Sequence, residues 1–319
     1  MAFVDILEEI VRAYPKREAF CYRDAESGEI RTVCFERFLE DVSRAAAYWS
    51  EKQKCLSPEE PFRVGIAADN SYPYFVEYLG VIAAGGVFVP LNQSFGAARV
   101  LEFAGEIGIP YMMAGEAQLA DSEYAAELNA AYPAGRLLPL DRVFAESSKC
   151  EALEELYRGE EDDTILMLLS SGTSGRSKIV EITNGNLCAY PAEVFNGLRA
   201  ERERGTLQHY ENLIILPFFH IGGVIPIMGE LARGNCLFIS NARQFLQDLS
   251  ARQFGKLIVA PAMMKRILER AEKNEKVAKA LDSVQEALCL GAAMSPVLIQ
   301  ALHARNIMPR TYYGLTETT

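Results

Sequence analysis

The sequence predicts an α/β protein made of two stacked α/β subdomains with mostly parallel sheets. From Arg63 onward, short β-like apolar runs alternate with longer amphipathic segments, and a second series of the same kind follows a Ser/Gly-rich stretch. Such alternation is typical of parallel sheets covered by helices. The 319 residues, half of them hydrophobic, can form one large core or two moderate ones. We expect a first subdomain at residues 1–190 and a second at residues 191–319.

The amino-terminal residues predict an amphipathic helix rather than a targeting segment. Acidic residues at Asp5, Glu8 and Glu9 interrupt the apolar positions, whereas a secretory signal needs a basic start and an unbroken apolar stretch. The apolar residues that fit one helix face are Phe3, Ile6, Leu7, Ile10 and Val11. No run reaches the roughly 18 apolar residues that a transmembrane helix requires. The seven cysteines include no C-x-x-C pair, which suits a reducing compartment, so we expect a cytoplasmic protein.

The first series of elements follows a β-α-β-α-β order. Arg63–Ala67 predicts a strand, Ser71 predicts a helix cap, and the helix after it ends before the glycines at 85 and 86. Residues 87–89 and 109–113 predict the next two strands. The polar and acidic residues 114–163 predict surface helices.

The second series begins after the Ser/Gly stretch. Four short segments have strand-like composition, with helical patterns between them: residues 213–216, 236–239, 257–259 and 287–290. Acidic residues outnumber basic ones by 43 to 32, for a net charge of −11. This balance disfavours a general nucleic-acid or anionic-membrane surface, and an anionic nucleotide needs a locally positive site.

The Ser/Gly stretch carries the main chemical signal. Residues 164–169 have no polar alternation and predict a strand buried on both faces, which leads into S-S-G-T-S-G-R-S-K at residues 170–178. Glycines allow close backbone approach, and hydroxyls, N–H groups, Arg176 and Lys178 can hold phosphate oxygens. A bare S-G-T-S-G also fits an ordinary surface turn. The order fails the G-x-x-x-x-G-K-[ST] pattern, which disfavours a kinase or GTPase.

Residues 169–187, L-S-S-G-T-S-G-R-S-K-I-V-E-I-T-N-G-N-L, resemble the signature of the acyl-adenylate-forming ligases. That superfamily includes acyl-CoA synthetases, nonribosomal peptide adenylation domains and luciferases. Its members usually place proline and glycine beside the motif lysine, whereas this chain has Ser177 and Ile179 beside Lys178. The resemblance implies that Lys178 also acts in catalysis, and that phosphate is bound by Ser170, Ser171, Gly172, Thr173, Ser174, Gly175 and Lys178.

Two further segments resemble the same family in the same order. Residues 78–91 resemble a helix-strand segment with a structural role. Residues 216–223, L-P-F-F-H-I-G-G, resemble the segment that borders the acyl pocket, which implies pocket roles for Phe219, His220 and Gly223, with His220 at the entrance. A lone histidine without such neighbours is more often structural.

The adenine-binding segments of the family have counterparts near the end of the chain. Tyr312-Tyr313-Gly314-Leu315-Thr316-Glu317 resembles the Y-G-x-T-E block, although Tyr-Gly and Thr-Glu alone would indicate a turn and a helix cap. The resemblance implies that Tyr313 stacks on adenine and that Thr316 and Glu317 are catalytic. Glu317 is the expected ligand of Mg²⁺, which favours carboxylate oxygens. The implied adenine contacts are Gly291, Ala292, Ala293, Tyr312, Tyr313 and Gly314.

The resemblance implies ATP-dependent conversion of a fatty or aryl acid into an acyl-adenylate, with release of pyrophosphate. Coenzyme A would then accept the acyl group, so ATP, Mg²⁺, coenzyme A and a small carboxylic acid are the expected ligands, and no nucleic acid is expected. The family normally continues into a mobile carboxy-terminal domain that carries a catalytic lysine. Because this sequence stops at Thr319, we expect the large amino-terminal domain only, incomplete at its carboxy-terminal end.

Two alternative functions stay open at this stage. An amino-acid adenylation module usually has an aspartate in the pocket segment for the substrate ammonium, whereas Phe218-Phe219-His220 provides no acid there. A non-catalytic nucleotide-binding protein would retain the fold without the mobile domain. The absence of a pocket aspartate favours an acid without an amine.

Overall fold

The computed structural model describes residues 2–24, 27–170 and 178–318. These residues form two compact units. Unit 1 contains the described residues of 1–12 and 36–189, and unit 2 contains the described residues of 13–35 and 190–318. The subdomain boundaries at residues 1–190 and 191–319 stay a prediction, and the structure groups Ala13–Phe35 with unit 2.

The described strands and helices follow in chain order. The strands are β1 Glu18–Arg23, β2 Ile30–Cys34, β3 Arg63–Ala67, β4 Val87–Pro90, β5 Tyr111–Ala114, β6 Leu137–Pro139, β7 Thr164–Ser170, β8 Lys178–Thr183, β9 Glu211–Ile214, β10 Cys236–Ile239, β11 Lys256–Val259, β12 Glu286–Cys289 and β13 Met308–Thr311. The helices are α1 Phe3–Ala13, α2 Phe35–Gln53, α3 Tyr72–Ala83, α4 Ala97–Ile107, α5 Glu116–Leu119, α6 Ser122–Ala131, α7 Leu140–Ser147, α8 Asn184–Gly197, α9 Arg199–Glu203, α10 Ile221–Ala232, α11 Phe245–Leu249, α12 Pro261–Ala271, α13 Glu275–Ala280 and α14 Pro296–His303. Short 3₁₀ turns occur at Leu281–Ser283 and Thr316–Thr318.

Unit 1 contains a sheet in the order β6-β5-β3-β4-β7-β8. All neighbouring strands are parallel except β7 and β8, which form an antiparallel pair. The central strands are almost wholly apolar and buried, as parallel strands covered on both faces require. The predicted mostly parallel architecture is confirmed for this unit.

Helix α3 confirms the expected cap and end. Ser71 Oγ accepts a hydrogen bond of 3.2 Å from the backbone N–H of Tyr74, and the helix ends at Ala83, two residues before Gly85 at φ +82°. An ideal Cβ at Gly80 would lie 2.4 Å from the Cβ of Ala45, so α2 and α3 require a glycine where they meet. The segment at residues 78–91 therefore has a clear packing role.

The predicted amino-terminal helix is also present, and its apolar face is buried. Asn184 fixes its start: Asn184 Oδ1 accepts a 2.7 Å bond from the Phe3 N–H, and its Nδ2 donates to the carbonyl oxygens of Arg158 and Glu160 at 2.6 and 3.2 Å. Arg158 in turn forms ion pairs with Asp5 and Glu8. The start of α1 is thus tied to the segment before β7 by polar contacts as well as apolar ones.

Unit 2 contains a sheet in the order β13-β12-β11-β9-β10-β1-β2. Every neighbouring pair is parallel except the β1–β2 hairpin. The four strands expected in this half are present, although β9 begins and ends two residues earlier than predicted. One core cluster lies on this sheet and includes Phe238, Phe254 and Leu257.

Four features differ from the sequence-based expectation or add to it. Strand β6 lies within residues 114–163, where only surface helices were expected, although α5, α6 and α7 are present. The hairpin β1–β2 and the strands β8 and β13 were not predicted. Among the described residues, no helix combines the length and apolar character needed to cross a bilayer.

Candidate functional site

The unit 2 sheet brings several predicted site segments to one edge. Strands β12 and β13 are parallel, with Cys289 opposite Thr311, so the turns that follow them leave the sheet side by side. Strand β9 is parallel to the same set through β11, and its carboxyl end leads to His220. The carboxyl edge of parallel strands is where ligands bind in open α/β sheets.

The turn after β12 is open. Gly291 has φ +87°, a conformation that favours glycine, and an ideal Cβ there would meet no atom within 4 Å. Ala292 and Ala293 are exposed. These three residues present backbone and small side chains at the edge, which is a surface that a flat ring can approach closely.

The segment after β13 presents aromatic and polar side chains. Tyr313 is 91% exposed and Tyr312 is 55% exposed, so the apolar faces of both rings have solvent contact. The hydroxyl of Thr318 bonds the N–H and the carbonyl of Leu315, which closes the 3₁₀ turn that carries Thr316 and Glu317. Glu317 is exposed and has no ion pair with any residue in the described ranges.

His220 is the residue immediately before α10, and its side chain makes no capping hydrogen bond to that helix. Its imidazole lies against the Phe219 ring, with centroids 4.4 Å apart, and the residue keeps contact with solvent. Partial desolvation nevertheless lowers the pKa of His220, which favours the neutral imidazole at neutral pH. A neutral ring beside Phe219 suits the border of an apolar substrate better than a cation does.

Gly223 sets the path of the chain into α10. An ideal Cβ at this position would lie 2.1 Å from the carbonyl oxygen of Pro217 and 3.2 Å from that of Leu216. The N–H of Gly223 donates a 2.8 Å bond to the carbonyl of His220. Gly223 thus allows the close approach of α10 to the preceding segment, and that approach positions Phe219 and His220. Val224 and Met228, apolar residues beyond it, are fully buried packing residues.

In unit 1, Ser170 and Lys178 face each other across the end of the β7–β8 hairpin as register partners. Ser170 is buried, and its Oγ has no hydrogen-bond partner among the described residues. Lys178 is exposed and forms no ion pair with a carboxylate in the part of the chain that the structure describes. A buried hydroxyl and a cation without a counter-ion at one hairpin end are compatible with an anionic ligand.

The other predicted phosphate-binding residues lie between Ser170 and Lys178 in the sequence. Ser171, Gly172, Thr173, Ser174 and Gly175 lie outside the described residues. Their roles stay predictions.

Sequence reasoning missed a groove in unit 2. A surface depression of about 410 Å³ is lined by Tyr190 and Val194 of α8, by Leu198 just after that helix, by Arg233, and by Tyr312. An ideal Cβ at Gly229 would lie 2.4 Å from the Tyr190 ring, so this glycine admits the tyrosine between α8 and α10. Burial raises the pKa of Tyr190, and a hydrogen bond with Arg233 partly offsets the rise. No motif joins these residues, because they come from three distant parts of the chain.

The sequence pattern of the AMP-binding enzyme family matches residues 7–319. The chain belongs to the AMP-binding enzyme family. The match extends over nearly the whole chain and therefore includes both units.

Individual relatives agree with this family. The chain is 24% identical over 278 residues to 4-coumarate--CoA ligase-like 1 of Arabidopsis thaliana, a match that covers 79% of this chain and 47% of that protein. It is 30% identical over 169 residues to probable CoA ligase CCL5 of Humulus lupulus, which covers 51% of this chain and 30% of that protein. The chain therefore spans less than half the length of these two relatives.

A solved structure has the same fold. The inhibitor-bound N-terminal domain of FACL13 from Mycobacterium tuberculosis superposes with a TM-score of 0.77 at 20% identity, covering 99% of this chain and 76% of that one. At this identity the likeness shows the fold alone. The fold is that of the amino-terminal domain of an adenylate-forming ligase, as the sequence resemblance implied.

Proposed function

We propose that this chain binds ATP and a carboxylic acid and takes part in forming an acyl-adenylate with release of pyrophosphate. The observation that carries the proposal is the arrangement of unit 2, where the turn at residues 291–293, the Y-Y-G-L-T-E segment and the approach to His220 all follow carboxyl ends of parallel strands. Membership of the AMP-binding enzyme family supports it.

Each motif has a role in the proposal. The exposed ring of Tyr313 stacks on adenine, next to the backbone of Gly291, Ala292 and Ala293, with Tyr312 and Gly314 beside it. Thr316 contacts the α-phosphate. The cation of Lys178 and the hydroxyl of Ser170, together with residues 171–175, hold the other phosphates, as charge-assisted hydrogen bonds to phosphate would favour.

The reaction needs no protein nucleophile. A carboxylate oxygen of the substrate attacks the α-phosphorus of ATP, and the bond from that phosphorus to the oxygen bridging the α- and β-phosphates breaks, so pyrophosphate leaves. In the second proposed step the thiol of coenzyme A loses its proton and attacks the acyl carbon, and AMP leaves. The residues of this chain act by orienting the two substrates and by neutralising negative charge.

Glu317 has the chemistry for Mg²⁺. Its carboxylate is exposed, offers hard oxygen ligands, and forms no ion pair with a described residue that would compete for it. When bound, Mg²⁺ supplies positive charge that stabilises the phosphates. In the proposal Glu317 holds the ion beside the nucleotide.

The substrate we propose is a fatty or aryl acid. Phe218 is buried, Phe219 is half-buried and His220 favours its neutral form, so the segment at the proposed pocket has no negative charge for a substrate ammonium. This absence disfavours amino acids. The proposal includes a reducing, cytoplasmic setting, which the seven free thiols support.

The nucleotide part of the proposal is tested by calorimetric ATP titration with and without Mg²⁺. Lys178→Ala should weaken ATP binding by about 10-fold or more, since a hydrogen bond to a charged group contributes about 1.5–3 kcal/mol. Glu317→Ala should weaken binding only when Mg²⁺ is present. Lys149→Ala and Glu154→Ala are matched controls, because both side chains are exposed and lie outside the proposed site. Absence of ATP binding by the folded wild-type chain would overturn the site assignment.

The acid-activation part is tested separately. The full-length gene product is incubated with Mg²⁺–ATP and single fatty, aryl or amino acids, and acyl-adenylate is measured by mass spectrometry together with pyrophosphate exchange. Fatty or aryl acids should give adenylate. A response to amino acids alone would favour the adenylation-module alternative, and ATP binding without adenylate from any acid would favour a non-catalytic nucleotide-binding role.

A further inference from the structure

Two thiol groups of unit 2 lie side by side on neighbouring strands. Sγ of Cys21 on β1 and Sγ of Cys236 on β10 are 3.5 Å apart, and both residues are buried. The cysteines are 215 residues apart in sequence, so only the fold brings them together. Neither has a role in the proposed ligase reaction.

The strand register disfavours a disulfide between them. Cys21 is opposite Phe238, so Cys236 lies two residues away along β10 on the same face of the sheet. A strand spacing of about 4.8 Å and a rise of about 3.3 Å per residue place two such Cα atoms roughly 8 Å apart. Disulfides require Cα atoms within about 7 Å. By contrast, two sulfurs sharing a tetrahedral Zn²⁺ at about 2.3 Å are about 3.8 Å apart, close to the observed separation.

Glu18 adds a third ligand. Residues three apart on a regular strand point to opposite faces, but the pairing of β1 with β2 shifts register between Glu18 and Phe20. This irregularity turns the Glu18 side chain toward the two thiols. One ligand atom from each of Glu18, Cys21 and Cys236 lies within 4.8 Å of the other two.

The surrounding charges are compatible with a divalent cation. Arg252 donates to Cys21 Sγ at 3.2 Å, which stabilises negative charge on the sulfur, and it also pairs with Glu211 at 2.8 Å and Glu18 at 3.6 Å. A divalent cation that displaces the two thiol protons leaves the formal charge of the cluster unchanged, because two thiolates and the cation replace two neutral thiols. Arg252 can keep its shorter contact with Glu211 when the cation binds.

We propose that Glu18, Cys21 and Cys236 form a binding site for a thiophilic divalent cation, with Zn²⁺ as the biological candidate. Thiolate sulfur selects such ions, and a carboxylate completes three of four tetrahedral positions, which leaves one for water. Because Glu18 is exposed, the cation can reach the site from solvent at this residue. Bound metal joins β1 to β10 and so stabilises the attachment of the amino-terminal hairpin to the unit 2 sheet.

The test uses Cd²⁺ as a spectroscopic probe and Zn²⁺ as the competing ion. Titration of the reduced chain with Cd²⁺ should give a thiolate-to-metal charge-transfer band that saturates at one equivalent, and Zn²⁺ should remove it. Cys21→Ser and Cys236→Ser should abolish the band. Cys289→Ser, which alters another buried thiol of the same sheet, should leave it unchanged. Circular dichroism verifies that each variant is folded.

Glu18→Gln provides a test that does not disturb the core, because Glu18 is exposed. It should weaken Zn²⁺ binding by about 10-fold or more, whereas the exposed control Glu272→Gln should not. Unchanged affinity in Glu18→Gln overturns the three-ligand site. A band that survives both cysteine variants, or no band together with rapid Cys21–Cys236 disulfide formation by a disulfide reagent, overturns the metal site altogether.

Discussion

At the scale of single residues, Glu77 shows how burial and hydrogen bonding oppose each other. Its carboxyl group in α3 has no solvent exposure and accepts 2.7 Å bonds from Trp49 Nε1 and Ser147 Oγ. Burial raises the pKa of Glu77 to about 7, and the two hydrogen bonds only partly offset this rise. The group therefore titrates near neutral pH, far above the usual range of a glutamate.

This pKa predicts a pH-dependent stability. Between the ordinary glutamate pKa of 4.5 and about 7, the folded state keeps a proton that the unfolded state has lost, so stability falls as pH rises through this window. We expect the folded state to lose about 1–3 kcal/mol there. Denaturant unfolding at several pH values between 4.5 and 8 measures the loss.

Glu77→Gln isolates the effect from other groups, such as Glu211, whose pKa burial also raises to about 7. The amide oxygen can accept from Trp49, and the Ser147 hydroxyl can donate instead to the Phe144 carbonyl, 3.2 Å away. The variant should show a flatter pH profile than wild type, and the exposed control Glu154→Gln should not. Identical profiles for wild type and Glu77→Gln would contradict the assignment.

At the scale of secondary-structure elements, the start of α10 depends on the absence of a Cβ atom at Gly223. Gly222 and Gly223 are adjacent in the helix, yet an ideal Cβ at Gly222 meets nothing within 4 Å, whereas one at Gly223 collides with the Pro217 carbonyl. Substitution at Gly222 therefore tests helix propensity, and substitution at Gly223 tests steric fit within the same turn.

We expect Gly223→Ala to lower the free energy of unfolding by about 2–3 kcal/mol, because the backbone at Pro217 must shift. Gly222→Ala should raise it by up to about 1 kcal/mol, because alanine is the better helix former. Denaturant unfolding of both variants measures the difference. Equal effects of the two substitutions would show that the contact with Pro217 is not limiting.

The anchor of α1 gives a second prediction for an element. Asn184→Ala leaves the Phe3 N–H and two carbonyl groups without their partner, which should cost about 2–4 kcal/mol. Asn129→Ala is the control, since this exposed side chain bonds only the carbonyl one turn earlier. Thermal unfolding compares them, and a small effect of Asn184→Ala would mean that apolar packing alone holds α1.

The elements also show what the sequence can predict. Strands β3, β4, β7 and β10 are short apolar runs, so their composition predicts burial on both faces. Strand β13 reads Met-Pro-Arg-Thr and β2 is largely exposed, so neither has an apolar signal, and both lie at sheet edges.

The candidate site also has a part that local sequence motifs can predict and a part that they cannot. Motifs of consecutive residues predict site roles for Lys178, His220 and the Y-Y-G-L-T-E segment. The groove at Tyr190 and Arg233 depends on contacts between distant segments, which no local pattern contains.

At the scale of the whole molecule, the amino-terminal 35 residues contribute to both units. Residues up to Arg12 belong to unit 1, and Ala13–Phe35 belongs to unit 2, where β1 pairs with β10. Without β1, strand β10 would become an edge strand with unpaired N–H and C=O groups.

Two truncations separate these contributions. Removal of residues 1–12 should speed hydrogen exchange in unit 1 around Asn184 and leave β10 protected. Removal of residues 1–35 should also speed exchange in β10 and lower the soluble yield. Hydrogen-exchange mass spectrometry reads both units in each sample, and full protection of β10 in the longer truncation would contradict its pairing with β1.

The position of Lys178 has a consequence for changes in chain length. This lysine belongs to strand β8 and faces Ser170 through the sheet register. Because side chains alternate faces along a strand, a one-residue change inside β8 would send the lysine to the other face. A frame-preserving codon loss within β8 should therefore weaken nucleotide binding about as much as Lys178→Ala does.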